Sequence, residues 1–370
     1  LIVGQLMPPN DAAVYFAAAK TLAADAADDL AANLGDLPDE TLARDWEALC
    51  REFARDFSVE PREALRRLEA LRARLLTTGR ARVALVGSTT LQKQLTAPLD
   101  GLVGTLTKAP APPRVAPVAG PGIVTARLRE RAPSADPVFV GLLAPSMKGG
   151  VVMNETPSAS YADTSDESLL RLLAASLYAG GGADSVFMKT WGAGLAYGNG
   201  IGLDLARGRV SYYADHTPTL PQTVGFVAET VRAAPSKPAL VEYAFANIIR
   251  SRAARGFEAR AFAMADDLAD GVTPAVVRNF RTRLLALRDR PDLVSAVYDR
   301  LPPVMRGLLP GYEAGDEATT TPPAGAHYVV IGPEKQLDAY EHYLKQHLGP
   351  QTTLFRLYPR DFWLTGPPAQ

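Results

Sequence analysis

The chain has 370 residues, 47% of them hydrophobic and 21% charged, with 39 basic and 40 acidic side chains. That length accommodates two ordinary domains, each with its own core, and a net charge of -1 gives no electrostatic footprint for nucleic acid or an anionic membrane surface. The single cysteine, Cys50, excludes an internal disulfide and a thiolate metal cluster, and fits either a reducing or an oxidising compartment. No apolar run approaches the roughly 18 residues that span a bilayer. Leu1 to Met7 lacks the basic flank and the length of a signal peptide. Because the chain does not open on methionine, the simplest expectation is a processed product or a piece of something longer.

In chain order, Asn10 to Asn33 is alanine-rich and reaches Gly35 at a helix C-cap position, which predicts a helix. Leu42, Trp46, Leu49, Phe53 and Phe57 recur at helical spacing, and so do Leu65, Leu68, Leu71 and Leu75, giving two more amphipathic helices. Val83 to Val86 is a short apolar run ended by Gly87-Ser88, followed by a helical pattern from Leu91 to Val103 that Pro98 should interrupt. A strand, a turn and a helix are expected there. Lys108 to Pro137 is dense in proline and reads as an extended connector.

The second segment opens with Val138 to Leu143 and Val151 to Asn154, separated by Lys148-Gly149-Gly150, which reads as a hairpin. Thr164-Ser165-Asp166-Glu167 forms a capping box ahead of Leu169, Leu170, Leu173 and Leu177, the start of a further helix. A second helix is expected over Asp184 to Thr190. Then Ile201, Leu203 and Leu205 alternate with polar or glycine positions, as do Val210, Tyr212 and Ala214, across Arg207-Gly208, the pattern of an antiparallel hairpin. Pro221 to Leu309 is mostly helical in period. His327 to Gly332 reads as a strand, Pro333 to Leu348 as a helix with proline at its first position and Gly349 after its end, and Leu354 to Leu357 as another strand.

Several chemistries fail on residue spacing. The four histidines, His216, His327, His342 and His347, form neither H-E-x-x-H nor H-x-x-E-H. No G-x-S-x-G elbow is present, and Cys50 lies in line with Leu49 and Phe53, the place of a buried thiol. Val86-Gly87-Ser88-Thr89-Thr90 lacks the lysine of a phosphate loop. Gly198-x-Gly200-x-Gly202 leads into a strand, so a dinucleotide would find no helix N-terminus.

What remains is Lys189 to Gly200, a glycine-rich joint between a helix and a hairpin, in which Trp191 and Tyr197 carry apolar bodies and polar handles. Gly194-Leu195-Ala196-Tyr197, after a helix bearing Lys189 and before a two-stranded hairpin, resembles a segment in the second module of pitrilysin/insulinase-type zinc metallopeptidases, the inverted H-x-x-E-H enzymes. Asn154 to Tyr161 ahead of the capped helix, Ile331-Gly332-Pro333-Glu334, and Leu357-Tyr358-Pro359-Arg360-Asp361-Phe362-Trp363 agree with the same resemblance, which extends over the whole chain.

The resemblance implies an α+β chain of two metallopeptidase-like modules, each an antiparallel-rich sheet covered by helices. Residues 1–107 are the later part of a helix-rich module, the first being incomplete; 108–137 are the connector; 138–365 are a complete, inactive module. It implies the C-terminal, non-catalytic half of such an enzyme, which closes a peptide chamber. Zinc is expected in the partner half and no cofactor in this chain; the partners are that zinc-bearing half and an unfolded peptide substrate, with no nucleic acid and no membrane span. Family members hold the substrate backbone with an arginine and a tyrosine of the closing half. Tyr197 matches the tyrosine. The arginine stands seven residues earlier, where this chain has Thr190, with Lys189 next to it. A lysine is a point charge without the two-pronged grip of a guanidinium. Tyr197, Lys189, Gly194 and Asn199 form the candidate substrate-binding set, while Trp191 is expected to pack. For Tyr197 a core position capping the hairpin stands open beside the substrate contact, and a structural or assembly protein built on the same module stands open beside the peptidase half.

Overall fold

The computed structural model describes residues 59–111 and 138–357, apart from 146, 251, 254–255 and 313–324. The helices expected over Asn10–Asn33 and Leu42–Phe57, most of the connector and the closing Tyr358–Trp363 lie outside the described residues. The elements are α1 (Pro61–Leu75), α2 (Thr89–Gly104), β1 (Phe139–Leu143), β2 (Gly150–Pro157), α3 (Asp166–Ser176), α4 (Val186–Gly192), β3 (Gly198–Asp204), β4 (Arg209–Thr217) and α5 (Leu220–Ala233). There follow α6 (Pro238–Arg250), α7 (Phe257–Asp270), α8 (Pro274–Ala286), α9 (Leu293–Tyr298), α10 (Leu301–Leu308), β5 (His327–Gly332), α11 (Glu334–Leu348) and β6 (Leu354–Leu357). They fall in two compact units, one of 138–249 and 278–357, the other of 59–111 and 250–277.

In the smaller unit Ser88 caps α2 by accepting the Leu91 amide at 3.2 Å. The expected interruption at Pro98 does not occur: α2 runs through it. Pro98 and Gln94 are both exposed, so the carbonyl that loses its helical donor meets water. The expected strand at Val83–Val86 does not form either. The pairing in this unit is a lone parallel bridge between Thr77 and Thr107, and an apolar run without a neighbouring strand has nothing to bond to.

The larger unit is α+β, a mixed six-stranded sheet in the order β3-β4-β2-β5-β1-β6 covered by helices. The β3–β4, β4–β2 and β2–β5 pairs are antiparallel, and β1 is parallel to both β5 and β6. The hairpin expected between β1 and β2 is therefore absent, because β5 lies between them and takes Leu142 opposite Ile331 on one side and Val151 opposite Ile331 on the other. β5, α11 and β6 form a strand-helix-strand unit split by β1.

One face of the sheet is closed. Val152, Asn154, Tyr212, Ala214, Tyr328 and Val330 lie on it in register and are all buried. Three side chains from different elements bolt the end of α10 to this core: Asn154 Nδ2 donates to the Leu308 carbonyl at 2.8 Å, Tyr328 OH to Gly307 at 2.9 Å and Tyr343 OH to Pro310 at 2.7 Å. The Gly307 and Leu308 carbonyls are among those that the last turn of a helix leaves without internal donors, and Pro310 lies just past the helix end. Gly311, at φ 86, turns the chain immediately afterwards, where a Cβ would collide with the Tyr343 hydroxyl at 2.3 Å. The opposite face is open at the β2–β4 pair, with Met153 53% and Tyr213 45% exposed as cross-strand neighbours, and closes toward β1 and β6, where Val138 and Leu357 are buried.

The capped helix forms as expected, with one difference in its cap. Ser165 accepts the Ser168 amide at 3.3 Å, so the cap is Ser165 and not Thr164. Leu169, Leu170, Leu172 and Leu173 are then all buried.

β6 is fastened to α11 through Arg356, which lies 2.8 Å from Glu334, 2.6 Å from Glu341 and also pairs with Asp338. The three carboxylates are spaced along one face of the helix. Burial is the largest influence on Glu341 and pushes its carboxyl up, but the hydrogen bonds and charges of Lys345 and Arg356 outweigh it and hold the group below its ordinary 4.5. A folded pKa below the unfolded one gives stabilisation that is present above the unfolded value and lost as pH falls through the folded value. Arg356→Met is expected to cost about 1–2 kcal/mol at neutral pH, measured as a lower urea midpoint. It should also flatten the loss of stability that the wild-type chain shows as the medium is acidified below pH 4.5.

Candidate functional site

The joint between α4 and the β3–β4 hairpin is built from the inside. Ser185 caps α4 by accepting the Met188 amide at 3.2 Å. Val186 and Thr190 face inward and are buried, while Met188, Lys189 and Trp191 face out. The helix ends in a turn at Gly194, whose φ of 69 is disfavoured for a residue with a Cβ. The Leu195 amide reaches back to the Thr190 carbonyl at 3.1 Å, and the Leu195 carbonyl accepts from Thr223 Oγ1 on α5 at 2.9 Å. Leu195 and Ala196 are buried. Their anchoring pushes the next side chain, Tyr197, out into solvent, where it is 76% exposed while its amide donates to the Asp215 carbonyl at 3.2 Å. A core position for Tyr197 is thereby ruled out in this structure.

The other candidates divide. Gly194 and Tyr197 lie on the exposed joint. Asn199 stands on the closed face, 2% exposed, with Nδ2 3.4 Å from the Phe187 carbonyl; it braces β3 against α4. Lys189 lines a concavity of about 390 Å³ together with Tyr178, Asp184, Thr230 and Lys237, and Tyr197 is not part of that lining. Among the described residues Lys189 has no ion-pair partner, whereas Lys237 holds Asp184 at 2.9 Å. Burial pushes the Tyr178 hydroxyl up, with Tyr298 close by, so the concavity is walled by a neutral phenol, the Lys237–Asp184 ion pair and Lys189. Thr190, which precedes Tyr197 by seven residues, is fully buried. Trp191, expected to pack, is 54% exposed, because the short helix turns Thr190 inward and its neighbour outward.

The glycines of β3 have a reason that their spacing alone does not reveal. Gly198, Gly200 and Gly202 stand opposite Asp215, Tyr213 and Ser211 of β4. A Cβ would lie 2.8 Å from the Asp215 carboxylate at Gly198, 3.5 Å from the Tyr213 ring at Gly200 and 2.8 Å from Ser211 Oγ at Gly202. The side chains of β4 lean across the edge strand, and glycine makes room for them. Asp215 Oδ1 accepts the Gly198 amide at 2.7 Å and lies 3.3 Å from Nδ1 of His216. The ring of His216 meets the ring of Tyr197 edge-on at 6.1 Å. Asp215 and His216 were not among the candidates read from sequence; their only local signal is a polar pair closing a strand just before Thr217-Pro218.

Among the described residues no group of three histidine, cysteine, aspartate or glutamate side chains could hold a metal ion. The described residues do not fit a zinc site. Among the described residues no helix is long and apolar enough to cross a membrane.

Gly198→Ala forces Asp215 off the Gly198 amide and is expected to cost about 1–2 kcal/mol. Gly200→Ala places its methyl at ordinary contact distance from Tyr213 and should stay within about 0.5 kcal/mol of the parent. Thermal melts of the two variants compare them directly.

No protein-family model matches the chain, and no curated protein matches it. Among solved structures it is similar to a peptidase M16 inactive domain from Pseudomonas fluorescens, at 13% identity and a TM-score of 0.40, over 65% of this chain and 51% of that one. It is also similar to a predicted insulinase family protease from Yersinia pestis, at 13% identity and a TM-score of 0.40, over 70% of this chain and 54% of that one. A protease from Helicobacter pylori matches at 13% identity and a TM-score of 0.41, over 67% of this chain and 53% of that one. The chain spans about half the length of these structures. The similarity is to insulinase/pitrilysin-type peptidase domains, an inactive domain among them, and is distant in sequence.

Proposed function

We propose that this chain is the non-catalytic half or subunit of a zinc metalloendopeptidase, closing a peptide chamber and orienting the substrate backbone toward zinc bound by another half. In this reading residues 138–365 are a complete inactive module, 108–137 the connector, and 1–107 the later part of a preceding module. The observation that carries it is the exposure of Tyr197 at the joint that resembles the family's substrate-holding segment. The tyrosine is not consumed by the core. Its amide is locked to β4 and the two residues before it are buried, so the phenol is held out on a rigid support. A hydroxyl fixed in this way donates to a substrate carbonyl and places the scissile bond before a distant nucleophile, and positioning of this kind lowers barriers without contributing a reacting group. Lys189, on the helix before the joint, opens onto a separate concavity and takes no part in the grip at Tyr197; Asn199 and Gly194 set the geometry of the joint.

The second reading, a structural or assembly protein that keeps the module without peptide work, is favoured by one observation: Thr190 is buried where the family arginine stands, so one arm of the substrate grip is missing.

The chain alone should not cleave a short unfolded peptide, and cleavage should begin when a zinc-bearing H-x-x-E-H half is added. Tyr197→Phe removes one hydrogen bond and is expected to lower turnover of the reconstituted enzyme by about threefold to tenfold, with its melting temperature unchanged. Unchanged turnover would favour the scaffold. Chelator-sensitive cleavage by the isolated chain would overturn the proposal.

A further inference from the structure

We infer that His216, through an imidazole set by Asp215, is the second group that grips an extended peptide beside Tyr197; this rests on the reading of Tyr197 as a substrate contact.

His216 is the only non-glycine residue with positive φ among the described residues, at 49. Elsewhere the chain gives such positions to glycine, as at Gly194 and Gly208. The conformation falls where the β2–β4 register shifts between Gly150 and Val152, a bulge whose backbone takes a left-handed residue, and the side chain is left 80% exposed. Its surroundings are ordered nonetheless. The Asp215 carboxylate lies 3.3 Å from Nδ1, and the same oxygen accepts the Gly198 amide at 2.7 Å. An ionised carboxylate only accepts, so Nδ1 carries the proton in that pair, and a neutral imidazole then presents Nε2 as an acceptor. On the neighbouring strand end the Tyr197 ring meets the imidazole edge-on, 6.1 Å away at 71°.

The two side chains thus offer complementary groups on adjacent strand ends: a phenol that donates to a carbonyl, and an imidazole that accepts from an amide N–H. An extended backbone presents both along one edge. The chemistry fits an unfolded peptide and needs no arginine, which accounts for a grip that survives the burial of Thr190. The Met188 and Trp191 side chains, exposed on the same joint, supply apolar contact without sequence demands.

His216→Gly separates binding from folding. Glycine adopts the left-handed conformation freely, so the variant should melt at or above the parent temperature. Fluorescence anisotropy with fluorescein-labelled oxidised insulin B chain, an unfolded probe peptide, should show affinity reduced by about threefold to tenfold, and Tyr197→Phe should show a similar loss. Unchanged affinity of His216→Gly alongside a loss in Tyr197→Phe would overturn the role of His216 and leave that of Tyr197 standing. A lowered melting temperature of His216→Gly would make the imidazole structural and overturn it too. If neither variant loses affinity, or the parent does not bind the probe, both readings fail together.

Discussion

Asn154, Tyr328 and Tyr343 converge on the carbonyls of Gly307, Leu308 and Pro310, and the larger unit depends on that convergence. The donors come from β2, β5 and α11, so two central strands and the helix behind them share one anchor at the end of α10. All three side chains are buried. Separating the layers would strand a donor and an acceptor in each pair, and an unsatisfied buried polar group costs about 1–3 kcal/mol. The bolt also explains the asymmetry of the sheet: with its closed face committed to helices, Met153, Tyr213 and the joint at Tyr197 are left for other contacts.

The candidate site follows from the same economy. Burial of Leu195 and Ala196, and the hydrogen bond from Thr223, fix where the chain enters β3. Everything from Gly194 to Gly202 is then determined by neighbours: a left-handed turn, an amide locked to Asp215, and glycines shaved to admit the side chains of β4. Tyr197 and His216 are what this rigid frame holds out. Lys189 is directed into a separate concavity with Lys237 and Asp184, so proximity in sequence to Tyr197 does not become a shared contact surface.

Local features were legible in the sequence, and features set by distant partners were not. The leucines of α3 and the alternation across Arg207-Gly208 each specify an element through residues close along the chain, as do the Gly194 turn and the run from β5 through α11 to β6. Pairing of β1 is different. Its neighbours arrive near the end of the chain, and a turn-like Lys148-Gly149-Gly150 between two apolar runs carries the same local pattern whether or not the runs bond to each other. Val83–Val86 shows the converse, a strand-like composition with no sheet beside it. At the site, the glycine-rich joint between helix and hairpin could be read directly, but not the exposure of Tyr197, for which a core position stood open. The inward turn of Thr190, the outward turn of Trp191 and the Asp215–His216 pair depend on how a short helix is rotated and on a cross-strand neighbour, which residue types alone do not encode.

The split strand-helix-strand unit sets an order on assembly. β3 and β4 pair across the Arg207-Gly208 turn as soon as they emerge, and β2 joins β4 once α3 and α4 have been made. β1 emerges before them and has no partner until β5 and β6 exist, since it is bonded only to those two. While the residues between β1 and β5 are being made, an apolar strand waits with both edges bare, the condition under which strands find wrong partners. The last strands therefore do more than finish the sheet: they release its earliest strand from exposure. A nascent chain of this design gains from a chaperone, or from a preceding stretch of its own polypeptide, that shields Phe139 to Leu143 until β5 and β6 arrive.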